Sequence, residues 1–214
     1  MSELPAKEKG YITFGSFNKL TKVTPEVMAT WARILQAVPG SRLALQSAGL
    51  GEDAMQQMVR EAFAGLGITP ERLELHGHDR SQKTHLERYR NIDIGLDPFP
   101  YNGTTTTCDA LWMGVPVVTL AGKVHAGRVG VSQMSNLGLT ELIGQTPEEY
   151  VAIATRLATD RERLGALRKE LRSRMTASPL MDAPRFTTNL EQAYRGMWKD
   201  WCLGLRHSRG DLFK

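Results

Sequence analysis

The sequence predicts an α/β fold, a Rossmann-like parallel sheet with helices on both faces, followed by C-terminal helices. Three observations predict it. Short β-rich runs alternate with helical patterns through the first two thirds of the 214 residues, as right-handed βαβ units require. Loops rich in Gly, Lys, His and Thr follow the strand runs, where open parallel sheets bind their ligands. From Pro147 onward only helical patterns remain.

Residues 1–10 read as a polar leader. Tyr11 to Phe14 (YITF) is the first strand, and Thr24-Pro25 opens a helix with Thr at the N-cap and Pro at the first helical position. Val27, Trp31, Ile34, Leu35 and Val38 give that helix its apolar face, which ends at Pro39-Gly40. Arg42 to Gln46 is a strand, about Glu52 to Leu66 a helix, Leu73 to Leu75 a strand and roughly Gln82 to Tyr89 a helix. Ile92 to Leu96 (IDIGL) leads into a Thr-rich helix, Pro116 to Leu120 is the fifth strand, and Gly127 to Leu137 is a further helix. Thr146-Pro147 starts another helix, Asp160 to about Thr176 forms a charged one, and Pro179 and Pro184 break the chain before the last. The expected organisation is one domain over residues 11–177, a crossing helix over 185–204 and a tail over 205–214. Phe186, Leu190, Tyr194, Met197 and Trp201 make a stripe on the last helix too aromatic to be meant for water.

Composition narrows the function classes. Hydrophobic residues at 41% and charged residues at 23% are those of an ordinary globular protein. No apolar run reaches the ~20 residues of a membrane helix, and MSELPAKEKG carries no signal-peptide core, so a cytoplasmic location and no membrane partner are expected. Cys108 and Cys202 are too few and too far apart for a disulfide framework or a zinc site, and His76, His78 and His207 lack metal-ligand spacing, so no metal is expected. The net charge of +4 is uneven: 14 basic against 16 acidic residues up to Thr155, then 13 against 7. Acids interrupt the basic surplus and no basic run exceeds two residues, so a solvated helical face is favoured over nucleic acid.

The chemistry gathers around Asp97 to Pro116, DPFPYNGTTTTCDALWMGVP. Asn102, Gly103 and Thr104 are residues that begin helices, and Thr104, Cys108, Leu111 and Val115 fall on one helical stripe. A helix start with free amides, hydroxyls and a positive dipole end is an anion site, and Asp109, one turn in, suits a sugar hydroxyl. Lys19 and Lys22 flank a loop after the first strand, suited either to a phosphate or simply to solvent. His85 and Arg88 share a helical face, and Arg128, beside His125 in a Gly-flanked loop, could meet an anion or serve capping and packing.

The string PFPYNGTTTTCDALWMGVPVVT resembles the nucleotide-sugar site of the O-linked N-acetylglucosamine (O-GlcNAc) transferases and their SPINDLY-type relatives. FGSFNKLTKVTPEVMATWARILQAVPGSRLAL, from Phe14 to Leu45, and the late string LEQAYRGMWKDW resemble the same family, and the likeness runs over roughly residues 10 to 202 in order. It implies the C-terminal lobe of a two-lobed (GT-B) glycosyltransferase. That lobe would bind UDP-GlcNAc as donor substrate, with no metal or other cofactor, for transfer of N-acetylglucosamine to Ser or Thr of proteins.

By position, Lys22 matches the family lysine at the diphosphate and is the implied catalytic residue, whereas Lys19 stands where a glutamine or other polar residue is usual. His85 and Arg88 match the residues that hold uracil, and the segment with Arg80 and Gln82 would add main-chain contacts to the base. Gly103, Thr104, Thr105 and Thr106 match the phosphate cradle, and Asp109 matches the carboxylate on the ribose. Thr104 replaces a histidine of the animal-type enzymes, as SPINDLY-like sequences can, and SPINDLY-type proteins can use a fucosyl donor, so fucosyl transfer is one alternative. A non-catalytic nucleotide-sugar-binding module is another. The acceptor groove and the histidines thought to matter for catalysis belong in the family to an N-terminal lobe preceded by tetratricopeptide repeats, an expected partner in this or another chain. On this resemblance the residues present constitute the donor half of a site.

Overall fold

β1 (Thr13–Ser16) is the middle of the sheet: all four of its residues are buried, and it pairs in parallel with β2 (Arg42–Gln46) on one side and β4 (Ile94–Leu96) on the other. The computed structural model describes residues 3–78 and 81–204. β3 (Leu73–His76) extends the sheet beyond β2, while β5 (Val117–Leu120) and β6 (Ile143–Gly144) extend it beyond β4. The order is β3-β2-β1-β4-β5-β6 and every pair is parallel, with Phe14 aligned to Leu43 and to Ile94. The chain therefore runs outward through β2 and β3 and returns to β4 beside β1. That reversal opens a crevice at the carboxyl ends of β1 and β4.

Helices bury the sheet because their apolar stripes match it. α2 (Pro25–Ala37) begins as the sequence predicts, with Thr24 Oγ1 accepting from the Val27 amide at 3.3 Å, and buries Val27, Trp31, Ile34 and Leu35. It packs on α3 (Asp53–Ala64), which buries Val59 and Phe63, and on α7 (Pro147–Thr159). α5 (Thr105–Trp112) packs instead on α8 (Arg161–Thr176), which buries Leu164, Leu167, Leu171 and Met175. α4 (Gln82–Arg88) and α6 (Val129–Asn136) complete the crossovers. Fully burying one such aliphatic or aromatic side chain contributes about 1.5–3 kcal/mol, and the buried cluster is continuous from Leu4 to Met175.

Three features depart from the sequence reading. The opening residues, expected as a polar leader, contain a short helix α1 (Pro5–Lys9) and bury Leu4, Pro5 and Ala6. The buried Asp93 carboxylate fastens them, accepting from the Ala6 amide at 2.9 Å and the Thr13 amide at 2.8 Å. β6 is absent from the sequence reading, because two residues carry no periodicity. The first strand is also displaced by two residues from Tyr11, since its ladder aligns Thr13 with Arg42.

α9 (Ala183–Cys202) stands apart, with none of its residues buried. Phe186 is 64% exposed, Trp198 66% and Trp201 77%, so the aromatic stripe faces outward from this chain. The expected tail over 205–214, Arg80 and His207 lie outside the described residues. No helix among the described residues is long and apolar enough to cross a membrane.

Candidate nucleotide-sugar site

Two adjoining cavities occupy the crevice and share Asn18, Lys19, Thr21 and Thr106. One, of about 620 Å³, is lined by Lys22, Tyr101, Thr104 and Thr105 in addition. The other, of about 770 Å³, is lined by Phe17, Leu20, Ala48, Met55, Met58 and His85 among others. A cationic, hydroxyl-rich chamber thus continues into an apolar one. This polarity gradient suits an elongated ligand with a charged end and a flat apolar end.

At the polar end, Thr104 occupies the N-cap of α5 but makes no side-chain cap bond, so its hydroxyl leaves the amides of the first turn to another partner. Those amides and the positive end of the helix dipole favour an anion there. Thr104 and Thr105 are exposed and Thr106 half-buried, all three lining the chamber. Lys22 crosses from the loop after β1: its Nζ donates to the Asn102 carbonyl at 2.8 Å and sits 3.9 Å from the centre of the Tyr101 ring. Burial pushes the Lys22 pKa below its ordinary value, the Asp97 carboxylate pulls it back up, and Lys19 lowers it further. Lys19 is exposed on the rim.

The turn between β4 and α5 is held from beneath. Asp97 is 1% exposed; its Oδ1 accepts from the Gly103 amide at 2.6 Å and its Oδ2 from the Thr119 hydroxyl at 2.7 Å. Burial raises the Asp97 pKa to about 7, against the opposing pull of these two donors and of Lys22. Asn102 closes the turn, its Nδ2 donating to the Pro98 carbonyl at 3.0 Å and its Oδ1 accepting from the Gly130 amide at 3.3 Å. Gly103, expected to face the ligand, spends its N–H inward on Asp97 and is itself buried. Its place in the site is to let the chain pass: a Cβ there would lie 2.6 Å from Thr107 Oγ1 and 3.0 Å from Asn18 Oδ1.

At the apolar end, the His85 ring lies 5.8 Å from the Phe17 ring and 5.5 Å from that of Tyr89. Gln46 Nε2 donates to the Gly77 carbonyl, which leaves Gln46 Oε1 as an acceptor for His85 Nδ1–H at 2.9 Å. His85 Nε2 then faces Asp109 Oδ2 at 3.9 Å. Burial raises the Asp109 pKa, with His85 acting in the opposite direction. Tyr89 joins the two ends, donating its hydroxyl to the Thr106 carbonyl at 3.2 Å.

The structure thus brings Lys19, Lys22, Thr104, Thr105, Thr106 and His85 to one crevice, with Asp109 beside His85. Gln82 is exposed and Arg88 half-buried on α4, and neither lines the two cavities. Arg128 Nη1 donates within its own loop to the Gly122 carbonyl at 3.2 Å, and His125 is exposed. Sequence reasoning passes over Asp97, Phe17, Tyr89 and Tyr101. For Asp97 a signal exists: a carboxylate ending an apolar strand, IDIGLD, needs donors inside the fold. Among the described residues, no group of three or more His, Cys, Asp or Glu side chains is placed to hold a metal ion.

A doubly wound parallel sheet with this two-chambered crevice at its switch point is a lobe of the GT-B glycosyltransferase class. The sequence profile of glycosyl transferase family 41 matches residues 3–190, and the chain belongs to that family. It is 47% identical over 204 residues to the "Probable UDP-N-acetylglucosamine–peptide N-acetylglucosaminyltransferase SPINDLY" of Petunia hybrida, covering 95% of this chain and 22% of that protein. The protein of the same name from Hordeum vulgare is 48% identical over 200 residues, 94% of this chain and 21% of its own length. Among solved structures, a Thermobaculum terrenum O-GlcNAc transferase mutant superposes with a TM-score of 0.85 at 43% identity, covering 92% of this chain and 38% of that one. The chain therefore spans about a fifth of the length of these curated relatives.

Proposed function

We propose that this chain is the donor-binding lobe of a protein O-glycosyltransferase that takes UDP-GlcNAc as its sugar donor and transfers N-acetylglucosamine to Ser or Thr hydroxyls of proteins. The observation that carries the reading is the continuity of a cationic chamber at the start of α5 with an apolar chamber under Phe17 and His85. The diphosphate lies against Lys22 and the amides of Thr105 and Thr106, and the uracil lies in the apolar chamber. Asp109, held beside His85, accepts from the ribose. By sequence position Arg88, Gln82 and Arg80 are assigned to the base, Gln82 and Arg88 from outside the lining of the two cavities, and Lys19 adds charge at the rim.

Transfer breaks the bond between the anomeric carbon and the β-phosphate oxygen, forms one to the acceptor hydroxyl oxygen, and releases that hydroxyl's proton. Negative charge then grows on the departing UDP. Lys22 and the helix start are fixed near that charge before the reaction, the condition under which electrostatic stabilisation acts most strongly. The reading assigns this charge stabilisation to the protein without a metal, in the cytoplasm. The similarity to relatives named as peptide N-acetylglucosaminyltransferases supports the acceptor class.

The exposed stripe of α9 supports a second lobe, in this or another chain, that covers Phe186, Tyr194 and Trp201 and completes the acceptor side. The test of donor binding is calorimetric: UDP is expected to bind more tightly than UMP, and UMP more tightly than uridine. Equal affinities for the three would remove the phosphate end from the site.

A further inference from the structure

We propose that Asp97 is a positioning residue for the donor diphosphate: its buried carboxylate sets the turn that presents the start of α5 to the crevice. For its ligand the proposal rests on the nucleotide-sugar reading; for the turn it rests on backbone geometry alone. The carboxylate is enclosed between three chain segments. Gly103 and Thr119 donate to its two oxygens at 2.6 and 2.7 Å. Gly130 of α6 closes the third side, where a Cβ would lie 2.7 Å from Oδ2. Its own main chain is fixed as well, since Asp97 N donates to the Val118 carbonyl at 3.0 Å and its carbonyl accepts from the Tyr150 hydroxyl at 3.1 Å. Trp31 Nε1 in turn donates to that hydroxyl at 3.1 Å, so the anchor is tied to α2 and α7.

The Gly103 bond spans six residues and closes the chain from Asp97 into a loop whose next residue is the N-cap of α5. The tip of α5 is otherwise held through carbonyls, Thr104 by Gln133 Nε2 at 2.9 Å and Thr106 by Tyr89 Oη at 3.2 Å. Both leave the leading amides free of side-chain caps. Asp97 thus orients the turn through both carboxylate oxygens without lining either chamber. A charge-assisted bond to a backbone amide is about twice as strong as a neutral one, and above the raised Asp97 pKa of about 7 it fixes the peptide just before the cradle. Lys22 completes the arrangement, because it donates to the carbonyl of Asn102, the other side of the same turn.

The experiment compares wild type with Asp97→Asn at a pH well above 7, where the wild-type carboxylate is ionised; the substitution keeps the shape and removes the charge. Amide hydrogen exchange of Gly103 is read first, without ligand, and is expected to accelerate by about tenfold or more as the charge-assisted bond becomes a neutral one. Calorimetry is then expected to show UDP affinity falling by about tenfold while uridine changes by less than about twofold, since every lining residue of the apolar chamber but Thr106 stands outside α5. A folded variant with unchanged Gly103 exchange and unchanged UDP affinity overturns the proposal. An equal loss of UDP and uridine also overturns it, because the role would then be general stability. Wild type that fails to bind UDP sinks the nucleotide-sugar reading, and Gly103 exchange still decides whether Asp97 sets the turn. If Asp97→Asn does not fold, Thr119→Val serves instead: it withdraws one donor from the carboxylate and is expected to give the same split at about threefold.

Discussion

Replacing Lys22 with alanine isolates the charge at the polar end of the crevice. In the free protein its ammonium is already in place, donating to Asn102 O at 2.8 Å and lying 3.9 Å from the Tyr101 ring centre. Little ordering is therefore needed when a diphosphate arrives. Two unit charges at ~4 Å interact by about 4 kcal/mol in an effective dielectric of ~20, and the desolvation of both groups takes back part of this. The net loss expected for Lys22→Ala is about 1.5–3 kcal/mol of UDP binding, a weakening of roughly ten- to a hundredfold. Stability should change little, because the side chain is only half-buried and its removal deletes one hydrogen bond and one cation–π interaction near the surface. A shift of a few degrees in Tm is the upper expectation, at about 2–4 °C per kcal/mol for a chain of this size. The assay is calorimetry with UDP and uridine, beside a melting curve. UDP affinity within threefold of wild type, or an equal loss for uridine, refutes the assignment of Lys22 to the phosphates.

Two further outcomes follow from the same geometry. Asp109→Asn should weaken UDP by about 1–2 kcal/mol with the melting temperature nearly unchanged, as a carboxylate facing ribose requires; lost stability at constant affinity would make Asp109 a structural partner of His85. The full chain should self-associate in sedimentation and a form ending near Ala183 should not, since α9 buries none of its residues and leaves Phe186, Tyr194, Met197, Trp198 and Trp201 exposed; a full chain that stays monomeric at high concentration and binds no apolar dye removes this support for a second lobe.

Much of the fold is legible in the sequence because its signals are local. Thr24-Pro25 and Thr146-Pro147 start helices by bonds within three residues, and the second strand coincides with its β-rich run, Arg42–Gln46. β6 is hidden because two residues have no pattern, and the leader looks merely polar because its anchor, Asp93, lies some eighty residues away. The same contrast holds at the crevice. The Thr run and Lys22 are visible as types at spacings, and they meet as the strand ends dictate. The inward turn of the Gly103 amide and the enclosure of Asp97 arise from contacts with Thr119, Gly130 and Asn18, which no local window of sequence contains. The exposure of α9 is half legible: the stripe shows in the sequence, and only packing reveals that this chain does not cover it.

The central claim is that a nucleoside diphosphate sugar binds across both chambers of the crevice, and a crystal structure of the chain with UDP tests it most directly. The account predicts the diphosphate within hydrogen-bond distance of Lys22 Nζ and the Thr105 and Thr106 amides, with uracil in the chamber lined by Phe17 and His85. UDP bound elsewhere, or seated with its phosphates in the apolar chamber, would contradict it.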